Sequence, residues 1–441
     1  MATPLEWLAC QASGAAIINP GFEQGWNGWI NSNKDGRSTG ISSHHASGDH
    51  AAKLTSGAGT ISQNLALRPN THYQLTAQIK GAGIVAVKVG EQLFFHRHSK
   101  TDQWTAVSLN FHSGDADSAT LICQYNGYTG YFDDFALSAV GSATTTATAT
   151  LALLDNGLSP ELSPGQNFKL DDWYLSTPES DRDGRSRRIS ERELMAGYQH
   201  PEYFYTAADG GMVMRATVAG AKTSNNTKYT RTELREMLRA GNERIATNGS
   251  DGLPNANKWV FSTAPAAAKR RAGGVDGELT ATLAVNHVTS SGLAYQIGRV
   301  IIGQIHAKHD EPVRLYYRKL PGHQRGAIYA AHEPSGGDDR WYPILGSRAD
   351  NAPEPSDGIA LNKKFSYTIR AEGDWLEVTI SRAGRQLGAT RIDMRDSGYA
   401  VDDDYLYFKA GVYNQNNSGD PDDYVQATFY ALHNRHQPAP R

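Results

Sequence analysis

Strict alternation of apolar with polar residues recurs along this chain and limits its fold more than any other feature. In Tyr73-Gln74-Leu75-Thr76-Ala77-Gln78-Ile79 and in Thr105-Ala106-Val107-Ser108-Leu109-Asn110-Phe111, every second residue is apolar. Side chains on an extended strand point to opposite faces with a period of two, so such runs are half-buried strands rather than helices. Further strand signals lie at 212–218, 278–288, 299–307, 313–320, 364–369, 375–381, 405–415 and 424–432, while helical periodicity is brief, as at 190–196. The runs are separated by Gly, Asn, Pro and Asp turn residues, and the expectation is an all-β chain built from β-sandwiches.

At 441 residues the chain exceeds one ordinary core, and two domains are expected. The stretch 139–150 reads AVGSATTTATAT, with neither charge nor aromatic, as an exposed linker would. The division is therefore a first sandwich at 1–138, a linker at 139–152 and a second, larger domain at 153–441. A net charge of −3 gives no overall basic field for nucleic acid, and no apolar run approaches the roughly 20 residues of a membrane span, so neither partner is expected. Cys10 and Cys123 both precede the linker; they can pair or stand as two buried thiols, and the sequence leaves both open. Residues 1–14 lack a basic n-region and a sustained apolar h-region, so no signal peptide is read there, which fits an intracellular protein or an exported one whose signal has been removed.

Three stretches carry chemistry on one face of such strands: Arg231-Thr232-Glu233-Leu234-Arg235-Glu236, Gln304-Ile305-His306, and 407–415, which reads YFKAGVYNQ. The period of two puts Arg231, Glu233 and Arg235 on one face, as it does Gln304 with His306, and Tyr407 with Lys409 and Tyr413. The other face receives Thr232 and Leu234, then Ile305, then Phe408, Ala410 and Val412. Alone, each run fits a solvated strand. Together they offer arginine, glutamine, histidine, lysine and tyrosine opposite the apolar faces, a lining suited to a carboxylated ligand.

These ordered blocks, RTELRE, QIH and YFKAGVYNQ, resemble the signature segments of polysaccharide lyase family 7, the alginate lyases. Gly165-Gln166-Asn167-Phe168-Lys169-Leu170, followed by Trp173 and Leu175, is similar to the opening strand of that family's domain, and the likeness covers 153–436. It implies a β-jelly roll whose concave groove binds polyuronate, β-elimination as the reaction, no cofactor for catalysis, and Arg231, Gln304, His306 and Tyr413 as the catalytic set. A uronate's C5 proton is weakly acidic because the neighbouring carboxylate resists a second negative charge. Arg231 and Gln304 would neutralise that carboxylate, His306 would take the proton, and Tyr413 would protonate the departing O4. For mannuronate, where both groups leave from one face, Tyr413 can serve both steps. Glu233, Arg235, Tyr407, Lys409 and Asn416 are the implied substrate-binding residues, with Glu233 holding one of the arginines. Ile305 at the centre of its block implies guluronate-containing substrates. The expectation is thus a secreted or periplasmic monomer acting on alginate.

In the first sandwich, Asn19-Pro20-Gly21-Phe22-Glu23 with Trp26 and Trp29, and Tyr131-Phe132-Asp133-Asp134-Phe135, resemble the first and last strands of galactose-binding-like carbohydrate-binding modules. That likeness implies sugar contacts, for which Trp29, Arg97, Tyr125 and Tyr128 are candidates, and a structural calcium, for which Glu23 and Asp134 are candidates. The polar stretch 240–277, with Lys269-Arg270-Arg271 inside it, is either a loop over the groove or a basic surface loop, and the second is the expectation. Gly81-Ala82-Gly83-Ile84-Val85-Ala86 matches a dinucleotide fingerprint but runs into a strand pattern where a helix is needed. His96 with His98, and His306 with His309, lack the further ligands of a metal site, and no nucleophile elbow is present. Two rivals to a lyase remain. A glycoside hydrolase would need a second acid opposite Glu233, which the other two strands do not supply, and a non-catalytic polysaccharide-binding protein would use the same groove.

Overall fold

A computed structural model describes residues 17–33, 36–90, 92–140 and 157–440. The chain divides into two compact units, Met1–Thr150 and Leu151–Arg441. Nearly all of the expected linker lies outside the described residues, as does Cys10. Cys123 is a buried free thiol whose pKa is pushed up by burial.

The first unit is built on seven hydrogen-bonded strands dominated by three long ones, His72–Val89, Gln92–His112 and Ser118–Val140. The alternating runs behave as their period requires: Leu75, Ala77 and Ile79 enter a core with Phe22, Ile61, Val87, Leu121 and Phe132. The would-be dinucleotide fingerprint lies inside His72–Val89, at a register shift between Ile79 and Gly83. Gly81 adopts φ 82° there, and a Cβ would run into the Thr129 carbonyl, so the glycine serves a strand irregularity and no phosphate.

Trp29 must be reassigned. It is 6% exposed, its ring packs on Phe22 at 4.7 Å and Phe135 at 5.2 Å, and its Nε1 donates to Asn19 O at 3.0 Å. The motif that suggested a sugar platform is a packing motif. Arg97 donates to Asn126 Oδ1 at 2.6 Å, Tyr125 is half-buried, and Tyr128 is 57% exposed with the Lys100 ammonium 4.9 Å from its ring centre. Glu23 and Asp134 serve the loop above the sheet. Glu23 accepts the backbone N–H groups of Asp49 and His50, and Asp134 accepts the Ser47 hydroxyl. Among the described residues no group of three His, Cys, Asp or Glu is placed to hold a metal. No calcium role is derived for them.

The second unit is a β-jelly roll of two facing sheets, one of nine strands and one of eight, with a single large core between them. The nine-stranded sheet runs in the order Arg340–Leu345, Arg325–His332, Val313–Arg318, Arg299–His306, Tyr407–Asn414, Arg231–Glu236, Trp173–Ser180, Ser186–Ile189, with the ninth strand, Ile359–Ala360, paired to Arg325–His332 off this path. Thr232 and Leu234, then Ile305, then Phe408, Ala410 and Val412 are all buried on its inner side, which turns the polar residues of those strands to the opposite face. The expected opening strand at 165–170 instead holds the short helix Pro164–Asn167, because Pro164 pre-sets its first turn and Gln166 Oε1 accepts the Ser163 N–H at 3.0 Å; the strand starts at Trp173. The helix Glu191–Met195 follows the capping box of Ser190 with Glu193.

Candidate active site

Strand pairing decides what the site contains. Arg231 lies opposite Tyr413, Glu233 opposite Gly411 and Arg235 opposite Lys409. On the other side of the same central strand, Gln304 lies opposite Lys409 and His306 opposite Tyr407. Residues directly opposite on paired strands project from the same face, so the four expected catalytic side chains and four of the five expected binding residues line one surface.

Glu233 is the hub of that surface. Its carboxylate, 2% exposed, accepts Arg231 Nη1 at 2.7 Å and is also bonded by Lys409 Nζ and Gln304 Nε2. Burial works to raise its pKa, but Lys409, Arg231 and the Gln304 amide outweigh burial and hold it below the ordinary carboxylate range. Lys409 is pushed down to about 8, first by burial and then by Arg231, against the pull of Glu233. Glu233 and Lys409 are therefore positioning groups here, and neither presents a free charge to a sugar. Arg231 keeps donors in reserve: its Nε is buried without a partner, and its guanidinium lies 3.6 Å from the Tyr413 ring centre. Gly411, opposite Glu233, leaves room for this arrangement; with φ 148°, a Cβ there would meet Glu233 Cα at 2.7 Å.

His306 is held as a neutral base. Nδ1 lies 2.6 Å from Ala307 O, and since a carbonyl can only accept, Nδ1 carries the hydrogen and Nε2 the lone pair. Burial first, and then Lys409, Arg235 and Arg231, hold the imidazole pKa well below its ordinary value. The ring stacks on Tyr407 at 5.0 Å and 12°, and Arg235 lies 4.0 Å from the Tyr407 ring centre. Tyr413 is half-buried, and burial raises its pKa, so its phenol keeps a proton at neutral pH. Asn416 departs from expectation. It is fully buried, donates to Thr289 Oγ1 and Ser291 O, and accepts from the backbone of Ser418 and Gly419, so it braces a loop and does not reach the groove.

The structure adds residues that the blocks do not contain. Glu311 Oε1 lies 3.2 Å from His306 Nε2, and Tyr229 meets Tyr413 edge-on at 6.1 Å. The stretch 240–277 does more than cover surface. Asn248 accepts from Arg235 at 3.0 Å, and Lys258, fully buried and with no hydrogen-bond partner for its Nζ, lies 4.7 Å and 4.2 Å from the ring centres of Tyr405 and Tyr407. A period-two reading could not find these, because each comes from a loop or short strand whose position depends on tertiary pairing.

A family model described as alginate lyase matches residues 168–436. The chain belongs to the alginate lyase family. A curated alginate lyase of Klebsiella pneumoniae is 54% identical over 284 residues, which cover 62% of this chain and 91% of the relative. The crystal structure of the alginate lyase from Klebsiella pneumoniae aligns with a TM-score of 0.60 and 53% identity, over 62% of this chain and 98% of that one. Alginate lyase PA1167 from Pseudomonas aeruginosa is 28% identical, with a TM-score of 0.45, over 61% of this chain and 99% of that chain. The family match lies within the second unit, as does the cluster of polar residues around Glu233.

Proposed function

We infer that the chain is an alginate lyase that cleaves 1,4-linked uronate chains by β-elimination. One observation carries the reading of the site: Glu233 ties Arg231, Gln304 and Lys409 into one cluster on the same face as a neutral His306 and a protonated Tyr413. The substrate carboxylate would meet the free donors of Arg231 and the Gln304 amide, which lowers the charge that accumulates as C5 loses its proton. His306 Nε2 takes that proton. The electron pair forms the C4–C5 double bond, the C4–O4 bond breaks, and the Tyr413 phenol protonates O4. The products are a new chain end and a 4-deoxy unsaturated uronate. A base and an acid from different strands suit the guluronate geometry, in which the two groups leave from opposite faces, and guluronate-containing blocks are the proposed substrate. The protein acts as a secreted or periplasmic monomer, and its first unit binds carbohydrate; among the described residues no helix is long and apolar enough to cross a membrane.

Incubation with alginate tests this directly. Ultraviolet absorbance from the conjugated alkene should rise, and His306→Ala and Tyr413→Phe should each abolish the rise while circular dichroism stays unchanged. New reducing ends without absorbance would make the enzyme a hydrolase, and wild-type rates in both variants would remove the assigned roles.

A further inference from the structure

The face that carries Arg231, His306 and Tyr413 continues onto the neighbouring strands of the same sheet. Tyr413 lies opposite Ile301, Ile301 opposite Tyr316 and Tyr316 opposite Tyr329, a row that crosses four strands on one side of the sheet. Trp341 lies opposite Ala331, two residues along from Tyr329, and so shares that side. Ile301, Tyr316, Tyr329 and Ala331 form an apolar cluster of their own, apart from the core between the sheets, with Trp341 and Tyr413 packed against it. Tyr316 and Tyr329 stack at 5.1 Å and 13°, and Trp341 leans on them at 5.5 Å and 5.8 Å. Tyr316 and Tyr329 are buried beneath a part-exposed Trp341, and this cluster, on the side of the sheet away from the main core, is not needed to join the two layers of the jelly roll.

The arginines beside this cluster complete the picture. Arg314 and Arg318 are ion-paired, to Glu333 and to Asp350 respectively. Arg299 and Arg348 form no ion pair among the described residues. Arg348 lies 4.5 Å from the Trp341 ring centre, Arg299 lies 6.0 Å from that of Tyr316, and Arg299 Nε is buried without a partner. A half-exposed indole supplies a flat face for the C–H surface of a pyranose, and a guanidinium with no carboxylate of its own supplies two-point recognition of a uronate's.

We propose that Trp341, with Arg348 and Arg299, forms a distal subsite that binds a uronate residue of the polymer several sugars away from the bond that breaks. The proposal rests on the lyase reading of the same groove. Adjacent strands are spaced about 4.7–4.9 Å apart, so the four steps from the Tyr413 strand to the Trp341 strand amount to roughly 19 Å along the sheet. Short oligouronates held at the catalytic residues cannot reach that far, whereas the polymer can.

The test compares kcat/KM on oligouronates of increasing length and on alginate, for wild type, Trp341→Ala, Trp341→Phe and Arg348→Gln. In Trp341→Ala and Arg348→Gln the ratio of long-substrate to short-substrate kcat/KM should fall roughly three- to tenfold, the range set by loss of one stacking or charge-assisted contact, and Trp341→Phe should restore most of it. A purely structural Trp341 would lower all lengths together and leave the ratio unchanged, which overturns the proposal. Equilibrium binding of alginate to His306→Ala, with and without Trp341→Ala, reads the same contact without turnover, and equal affinities there also overturn it. Absence of unsaturated product from wild type at every length would instead refute the lyase reading.

Discussion

Replacing Glu233 with glutamine keeps the shape of the hub and removes its charge. Arg231 and Lys409, both almost fully buried, would then face each other with no anion between them. Breaking a buried ion pair by deleting one partner costs about 3–5 kcal/mol, because the remaining charge stays desolvated. A loss of that size is expected in Glu233→Gln, together with loss of elimination, since Arg231 and Gln304 would no longer be held for the substrate carboxylate. A double-mutant cycle sharpens the argument. Lys409→Met alone leaves Glu233 with Arg231 and Gln304, so it should cost less than Glu233→Gln. Adding Lys409→Met to Glu233→Gln removes one orphaned charge and should recover part of the stability, though not the activity. Urea unfolding of the four proteins, compared at the transition of the second unit, gives the stability terms, and alkene absorbance gives the rates. The reasoning is refuted if Glu233→Gln unfolds within about 1 kcal/mol of wild type, or if the double variant is less stable by the full sum of the two single losses.

Two further outcomes follow from buried charges outside the hub. His436 Nε2 lies 2.7 Å from Glu236, and this contact joins Tyr424–Gln437 of one sheet to Arg231–Glu236 of the other. Burial alone would lower the imidazole pKa, but Glu236 outweighs it and raises His436; burial alone would raise Glu236, but His436, Asn434 and the Phe408 N–H hold it down. The histidine's contribution is complete below its unfolded value of about 6.5 and is lost as pH rises through its raised folded value, whereas the glutamate's is lost as pH falls through its lowered one. Melting temperatures against pH should therefore show the gap between wild type and His436→Gln widest in weakly acidic buffer and closing on the alkaline side; a gap independent of pH would disprove the pairing. Lys258 runs the other way. Burial, and then Arg235, hold its amine well below the ordinary lysine value, so Lys258→Met should raise stability by roughly 1–3 kcal/mol. That gain should grow as pH falls from about 10.5 toward the folded value, because only the unfolded chain gains a proton there.

The shared face of Arg231, Glu233, Gln304, His306, Lys409 and Tyr413 was legible because these residues sit on strands with a period of two and an apolar opposite face. The order of those strands was not legible. Neither was the register shift between Ile301 and Gly303, which returns Gln304 and His306 to the side of the sheet that holds Ile301 and Tyr413. Arg325–His332 is buried on both faces and shows no alternation, and Arg340–Leu345 is an edge strand containing Pro343, so the half of the sheet that carries Tyr329 and Trp341 gave no periodic signal. Trp29 misled for a different reason: aromatic content marks a residue as large and flat, and only its contacts with Phe22 and Phe135 show that it lies inside. Asn416 fell next to a catalytic strand in sequence, but its amide is turned into the neighbouring loop.

One charge pattern unites binding and catalysis in this site. Arg231, Arg235 and Lys409 surround His306 on a chain whose net charge is −3, so the attraction for a polyanion is local and does not come from the molecule as a whole. Arg231, whose free donors would receive a uronate's carboxylate in the proposed reaction, is one of the cations that disfavour the imidazolium, and together they keep Nε2 available as a base. They act again afterwards. In the proposed reaction, once Nε2 has taken the C5 proton, the imidazolium is flanked by Lys409, Arg235 and Arg231, whose positive charge favours release of the proton and return of the base, while the Glu311 oxygen 3.2 Å away works against that release. Glu233 makes this possible by letting Arg231 and Lys409 approach each other without a net repulsive pair, and a site with the cations but no such carboxylate would trade fold stability for the same field.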